Sequence, residues 1–164
     1  MPDALDPVPL LRYLHERKVE YVVIGGLAVS AHGHVRPSKD LDIVPRGTSE
    51  NLMRLARALG DMHVSVLDTG DFGREELPMD PTQPDDLALG GNFCLQTSLG
   101  RLDVMQWVSG IDADDLYAEL EREALVGELE GIPVQVCGLE HLRAMKRAAG
   151  RPQDLEDLAR LDVD

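Results

Sequence analysis

The sequence predicts an α+β fold, a small mixed β-sheet with flanking helices, closed by a C-terminal helical pair. Three observations carry this. Short β-branched runs bounded by glycine or proline alternate with segments whose apolar residues recur every three or four positions. Two pairs of strand-like runs are joined by short glycine-containing turns. After Gly138 the pattern turns helical, breaks at Gly150 and resumes at Pro152. With 164 residues the chain reads as one domain over 1–164, about 1–110 forming a core and about 111–164 a helix, a hairpin and a helical tail.

In order, Val8, Leu10, Leu11 and Leu14 recur at helical spacing after Pro7, predicting a helix to about Lys18. Tyr21–Ile24 is a buried strand ending at Gly25-Gly26. Leu27–His32 is a short helix. Leu41–Val44 is a second strand, stopped by Pro45. Thr48 or Ser49 caps a helix carrying Leu52, Leu55, Ala56 and Leu59, closed by Gly60. Val64–Leu67 is a third strand. Residues 68–92 hold three prolines, four glycines and seven acids, and predict a long loop, of the kind that is uncommon unless functional or disordered. Phe93–Thr97 and Arg101–Trp107 form a hairpin across Ser98-Leu99-Gly100. Asp112 or Asp114 starts a helix to about Arg122. Leu125–Leu129 and Ile132–Val136 form a second hairpin about Glu130-Gly131. Gly138 opens a helix with Leu139, Leu142 and Met145, and Pro152 opens the last, with Leu155, Leu158 and Leu161.

Composition excludes several classes. Aromatics are 4% of residues, so Leu, Val and Ala must supply the core. No apolar run approaches the ~20 residues that span a bilayer, and the first residues lack the basic start and apolar stretch of a signal peptide. The expected location is the cytoplasm, with no membrane partner. Cys94 and Cys137 make neither a disulfide framework nor a zinc site. His32 and His34 flank Gly33 without further ligands nearby. The net charge of −14 argues against broad DNA or RNA binding. Residues 1–60 hold 8 basic and 7 acidic side chains, whereas residues 61–164 hold 8 and 23. A site for an anionic substrate is therefore expected in the first third.

The chemistry concentrates in Val22-Val23-Ile24-Gly25-Gly26 and, thirteen residues on, Asp40-Leu41-Asp42-Ile43. Residues two apart on a strand share a face, so Asp40 and Asp42 project together. Paired carboxylates repel, and a divalent cation such as Mg²⁺ or Mn²⁺ is the natural partner, with substrate phosphates completing its shell. Gly25 and Gly26 put bare backbone at a strand-to-helix turn, where a phosphate can approach the amides. Arg36, Ser38 and Lys39 lie between these parts and are donors suited to phosphate. Asp103 sits inside a strand, where a charge needs a reason. If that strand lies near Asp40 and Asp42, three carboxylates converge, enough to hold metal for phosphoryl displacement or to supply a base. The glycines fit neither a dinucleotide nor a P-loop fingerprint.

The order apolar strand, Gly25-Gly26, short helix, Arg36, Asp40-x-Asp42 and later Asp103 resembles the polymerase-beta-type nucleotidyltransferase superfamily. It is similar to small bacterial members, including abortive-infection and toxin–antitoxin nucleotidyltransferases. The segment Leu142–Asp154, with Lys146, Arg151 and Asp154 about an Ala-Ala-Gly turn, resembles their helical tail. The resemblance implies transfer of a nucleoside monophosphate from an NTP, ATP among them, to a hydroxyl of RNA, protein or a small molecule. It implies Asp40, Asp42 and Asp103 as metal ligands, Asp103 alternatively as base. Gly25 and Gly26 would cradle phosphates, and Lys146 and Arg151 would touch the triphosphate or buttress the site; as bare residues these two read equally as charges at a helix end. Many relatives carry Ser where this chain has Gly26. A cognate toxin or antitoxin partner is an expected companion, and the alternative function is a non-catalytic, partner-binding protein of the same fold.

Overall fold

A computed structural model of the chain describes residues 4–68 and 79–162. The elements are α1 (Val8–Glu16), β1 (Tyr21–Ile24), α2 (Gly25–Ala31), β2 (Asp40–Pro45), α3 (Ser49–Asp61), β3 (Ser65–Asp68), α4 (Pro84–Leu87), β4 (Phe93–Thr97), β5 (Gly100–Val104), α5 (Leu116–Arg122), β6 (Leu125–Leu129), β7 (Ile132–Val136), α6 (Leu139–Ala149) and α7 (Pro152–Leu161). The strands form one mixed sheet in the order β3-β4-β5-β2-β1-β7-β6. The predicted α+β class, mixed sheet and terminal helical pair are all present.

Two parallel pairings place the site. β2 runs parallel to β5, with Asp40 opposite Arg101 and Asp42 opposite Asp103. β1 runs antiparallel to β2, with Ile24 opposite Asp42, and parallel to β7. All four residues of β1 are buried, as its unbroken apolar run requires of a central strand. In β2 and β5 the alternation is clean: Leu41, Ile43, Leu102 and Val104 are fully buried or nearly so, while the acids between them face the other way. Leu10, Leu11 and Leu14 of α1 and Leu52, Leu55 and Leu59 of α3 complete the core.

Four sequence expectations need correction. β5 ends at Val104 rather than Trp107, because the buried Asn92 captures the chain beyond it. Its Oδ1 accepts from Gln106 N at 2.7 Å and Trp107 N at 3.2 Å, and its Nδ2 donates to Trp107 O at 3.1 Å. The predicted loop 68–92 begins inside β3 and contains α4, whose first turn carries Pro84, Asp85 and Asp86; residues 69–78 lie outside the described residues. Helix α5 starts at Leu116, because Asp115 caps it by accepting from Ala118 N at 3.0 Å. In α7 the buried stripe is Asp154, Asp157 and Leu161, while Leu155 is 56% exposed. The apolar periodicity of that helix therefore misreads which face turns inward.

That acidic stripe is what docks the terminal helices. Asp157 is fully buried and accepts from Arg36 Nε and Nη2, both at 2.8 Å. Lys146 Nζ stands 3.0 Å from both Asp157 Oδ2 and Asp154 Oδ1. Arg151 donates from Nε to Asp154 Oδ2 at 2.7 Å and from its backbone N at 3.1 Å. Burial pushes both carboxyls up, but the hydrogen bonds from Arg151 and Lys146 to Asp154, and from Arg36 and Lys146 to Asp157, outweigh it and hold both below the usual carboxylate range. Helices α6 and α7 are thereby tied to the segment between α2 and β2. No helix among the described residues is long and apolar enough to cross a membrane.

Removing one partner from a buried ionic cluster leaves uncompensated charge and costs about 3–5 kcal/mol. Asp157→Ala is therefore expected to lower the urea-unfolding free energy by that amount, whereas Glu156→Ala on the exposed face of the same helix is expected to change it by less than about 0.5 kcal/mol.

Candidate active site

The site forms where β1 turns into α2 beside the parallel pair β2 and β5. Strand parity turns Asp40 and Asp42 to one face, and the β2–β5 register brings Asp103 alongside. Carboxylate oxygens of Asp40, Asp42 and Asp103 all lie within 4.8 Å of one another. This is the spacing that a shared cation needs. Asp103 Oδ1 is buried and has no hydrogen-bond partner, so the cluster holds an unsatisfied lone pair.

The electrostatics agree. Burial, then repulsion from Asp40 and Asp103, holds the Asp42 carboxyl well above the usual carboxylate range, against a smaller pull down from Lys146. Burial and Asp40 likewise raise Asp103, against the pull of Asp42 through a hydrogen bond and the smaller attraction of Arg101. The residues present thus fit a divalent cation: hard oxygen donors, converging, with their negative charge under-compensated.

Gly25 is dictated by this cluster. Its φ is +71°, and a Cβ there would overlap the Asp42 carboxylate. Any side chain would displace a triad member as well as strain the turn. Gly26 is constrained differently: a Cβ would stand 2.6 Å from Ser38 Oγ and 3.3 Å from Arg36 Nη1. Ser38 itself donates from Oγ to Asp40 O at 2.9 Å. The Gly26 side of the turn is therefore filled by Ser38 and Arg36, which leave no room for a side chain there.

The other expected residues are distributed as follows. Arg36 is held by its neighbours: Nε and Nη2 donate to Asp157 and Nη1 donates to Pro37 O at 3.1 Å. Lys39 is exposed on the approach to β2. Lys146 is buried and acts on Asp42 through charge, from within its pairing to Asp154 and Asp157. The Arg151 side chain is 75% exposed, and the charges of Asp40 and Asp42 help to raise its pKa after the larger effects of Asp154 and partial burial. His32 Nε2 lies 2.8 Å from Cys137 O, and His34 Nε2 lies 3.9 Å from Asp157; they do not converge on one ion.

Two groups were missed in the sequence. Arg101 Nη2 stands 4.0 Å from Asp40 Oδ2 and 3.8 Å from Asp103 Oδ1. Its position two residues before Asp103 was the available signal, since strand parity puts both on one face. Asp157, the anchor of Arg36 and Lys146, lies three residues after Asp154 on the same helix face.

The architecture is similar to that of solved antibiotic adenylyltransferases and of a protein proposed to be a nucleotidyltransferase. The chain superposes on the lincosamide antibiotic adenylyltransferase LnuA in its lincomycin-bound form with a TM-score of 0.64, at 13% identity over 96% of this chain and 97% of that one. It superposes on a Thermotoga maritima protein proposed to be a nucleotidyltransferase, TM1012, with a TM-score of 0.58, at 19% identity over 95% and 93%. ANT(2″)-Ia in complex with adenylyl-2″-tobramycin gives 0.54, at 19% identity over 93% and 82%. No protein-family model matches the sequence, and no curated protein matches it significantly. The fold is the nucleotidyltransferase fold.

The raised carboxyls give a pH signature. Folding increases the proton affinity of Asp42 and Asp103, so their contribution to stability is full below about pH 4, the unfolded value, and is lost as pH rises through their folded values. The metal-free protein is expected to lose melting temperature as pH is raised above about 4 towards 8. Asp42→Asn, which keeps the shape and removes the charge, is expected to flatten that loss and melt several degrees higher at pH 8, 1 kcal/mol being worth about 2–4 °C at this size. Thermal melts of both proteins in chelator across this range are the check; equal slopes would show that the cluster is not under charge strain.

Proposed function

We propose that the protein is a divalent-cation-dependent nucleotidyltransferase that moves a nucleoside monophosphate from an NTP to a hydroxyl of a small-molecule acceptor. The observation that carries this is the convergence of Asp40, Asp42 and Asp103 beside the Gly25-Gly26 turn. Mg²⁺ or Mn²⁺ held by the three carboxylates would polarise the α-phosphoryl group and neutralise charge developing on it. The chain's own residues do the rest. The backbone of the half-buried Gly25 at the turn, with Ser38 beside it, would bind the polyphosphate, and Arg151, within charge range of Asp40 and Asp42, and the exposed Lys39 would supply positive charge.

The acceptor oxygen attacks the α-phosphorus, a new P–O bond forms, and the bond to the β-phosphate bridging oxygen breaks, releasing pyrophosphate. In-line geometry places the attacking oxygen opposite the leaving group. The turn lies on the β1 side of β2 and Asp103 on the β5 side, so the acceptor enters over β5. Asp103, on that side of the triad, would take the hydroxyl proton at its carboxylate oxygen where it serves as base rather than as metal ligand.

The choice of a small molecule over RNA or a protein side chain follows from the neighbours that carry lincomycin and adenylyl-tobramycin and from the net charge of −14, which disfavours a polyanionic acceptor. A toxin–antitoxin or phage-defence setting rests on the sequence resemblance alone, and its RNA and protein acceptors are outcomes of the same test.

The purified protein would be incubated with each α-³²P-labelled NTP, Mg²⁺ or Mn²⁺, and in turn a panel of hydroxyl-rich small molecules, total RNA and cell-extract protein. A labelled small molecule is expected, its formation falling to background in Asp40→Ala/Asp42→Ala. A labelled RNA or protein band would move the acceptor class. No transfer from any nucleotide by folded protein would overturn the enzymatic reading.

A further inference from the structure

Arg101 is a cation placed inside the carboxylate cluster by the sheet itself. It alternates with Leu102 to share a face with Asp103, and the β2–β5 register sets it opposite Asp40. Its Nη2 lies 4.0 Å from Asp40 Oδ2 and 3.8 Å from Asp103 Oδ1. These are charge contacts, longer than hydrogen bonds. The guanidinium Nε is buried with no hydrogen-bond partner, and so is Asp103 Oδ1. Arg101 therefore compensates the triad's charge while leaving the donor sets on both sides unsatisfied.

We propose that Arg101 is a resident counter-ion of the triad, which competes with the divalent cation for Asp40 and Asp103 and gives way when the cation binds. This rests on the reading that the triad holds a cation. A divalent ion would use the oxygens that now face the guanidinium, and its own charge repels the arginine. Departure is cheap for Arg101, whose side chain is 39% exposed and makes no direct hydrogen bond to the triad that would have to break. The contrast is Lys146, which is buried and held at 3.0 Å by both Asp154 and Asp157; it acts on the triad as a fixed charge. The consequence is a site that binds metal weakly by itself. NTP phosphates add ligands that the protein lacks, so metal entry becomes coupled to nucleotide entry.

Mn²⁺ titration followed by the electron paramagnetic resonance signal of the free ion, at low salt and neutral pH, tests this without any turnover. Arg101→Met is expected to bind Mn²⁺ about three- to tenfold more tightly than the wild type, the worth of one or two partly exposed ion pairs. Arg101→Lys, which restores the charge, is expected to return towards wild-type affinity. In metal-free melts Arg101→Met should be less stable than the wild type, and saturating Mn²⁺ should close the difference. Unchanged or weaker Mn²⁺ binding by folded Arg101→Met overturns the proposal. Asp42→Asn separates the two levels. If it loses Mn²⁺ while Arg101→Met leaves affinity unchanged, the cation site stands and the Arg101 role falls. If the wild type binds no Mn²⁺, or Asp42→Asn binds it as well, the cation site falls and this inference with it.

Discussion

Three carboxylates with oxygens within 4.8 Å of one another repel, and the surrounding structure is organised about that repulsion. Gly25 has no Cβ because the Asp42 carboxylate occupies its place. Leu41, Ile43, Leu102 and Val104 anchor β2 and β5 in the core, so the acids between them cannot turn away. Arg101 supplies positive charge from within the sheet, and Lys146 supplies it from α6. The core fixes the strands, and the strands impose the electrostatic load that a ligand relieves.

The terminal helices belong to the same arrangement. Asp154 and Asp157 turn the inner face of α7 into a negative stripe, matched by Arg36, Lys146 and Arg151. Three cations against two carboxylates leave this clasp with a surplus of one positive charge. It lies next to the triad, close enough for Lys146 to lower Asp42 and for Asp42 to raise Arg151. The clasp is thus both a fastening between α6, α7 and the α2–β2 segment and a positive border to a negative site. A polyphosphate with its metal ion carries charge of both signs and, on the proposed function, would meet complementary charge on each side.

Much of this was legible in the sequence, for local reasons. Asp40 and Asp42 share a face because strands have a period of two, and an interior Asp103 was conspicuous between Leu102 and Val104. A glycine pair after an apolar run marked the turn. What the sequence withheld depends on contacts between distant segments. Arg101 had the right parity, but its meaning comes from the β2–β5 register, which no local pattern specifies. The inner face of α7 was misread because Leu155 and Leu158 outweigh Asp154 and Asp157 on a hydropathy count, although the acids have buried cations waiting for them. The end of β5 was misplaced because Asn92, from the preceding segment, takes over the backbone hydrogen bonds of Gln106 and Trp107. Side chains that substitute for a neighbouring strand leave little trace in strand propensity.

The central claim is that the triad is a cation site at which a nucleotide's phosphates meet the glycine turn. Its most direct test is a crystal structure grown with Mn²⁺ and a non-hydrolysable NTP analogue, read by anomalous scattering at the manganese edge. The account predicts a peak within coordinating distance of Asp40, Asp42 and Asp103, with analogue phosphate on its open side and against Gly25 and Gly26. Clear analogue density elsewhere, or manganese bound away from the three carboxylates, would contradict it.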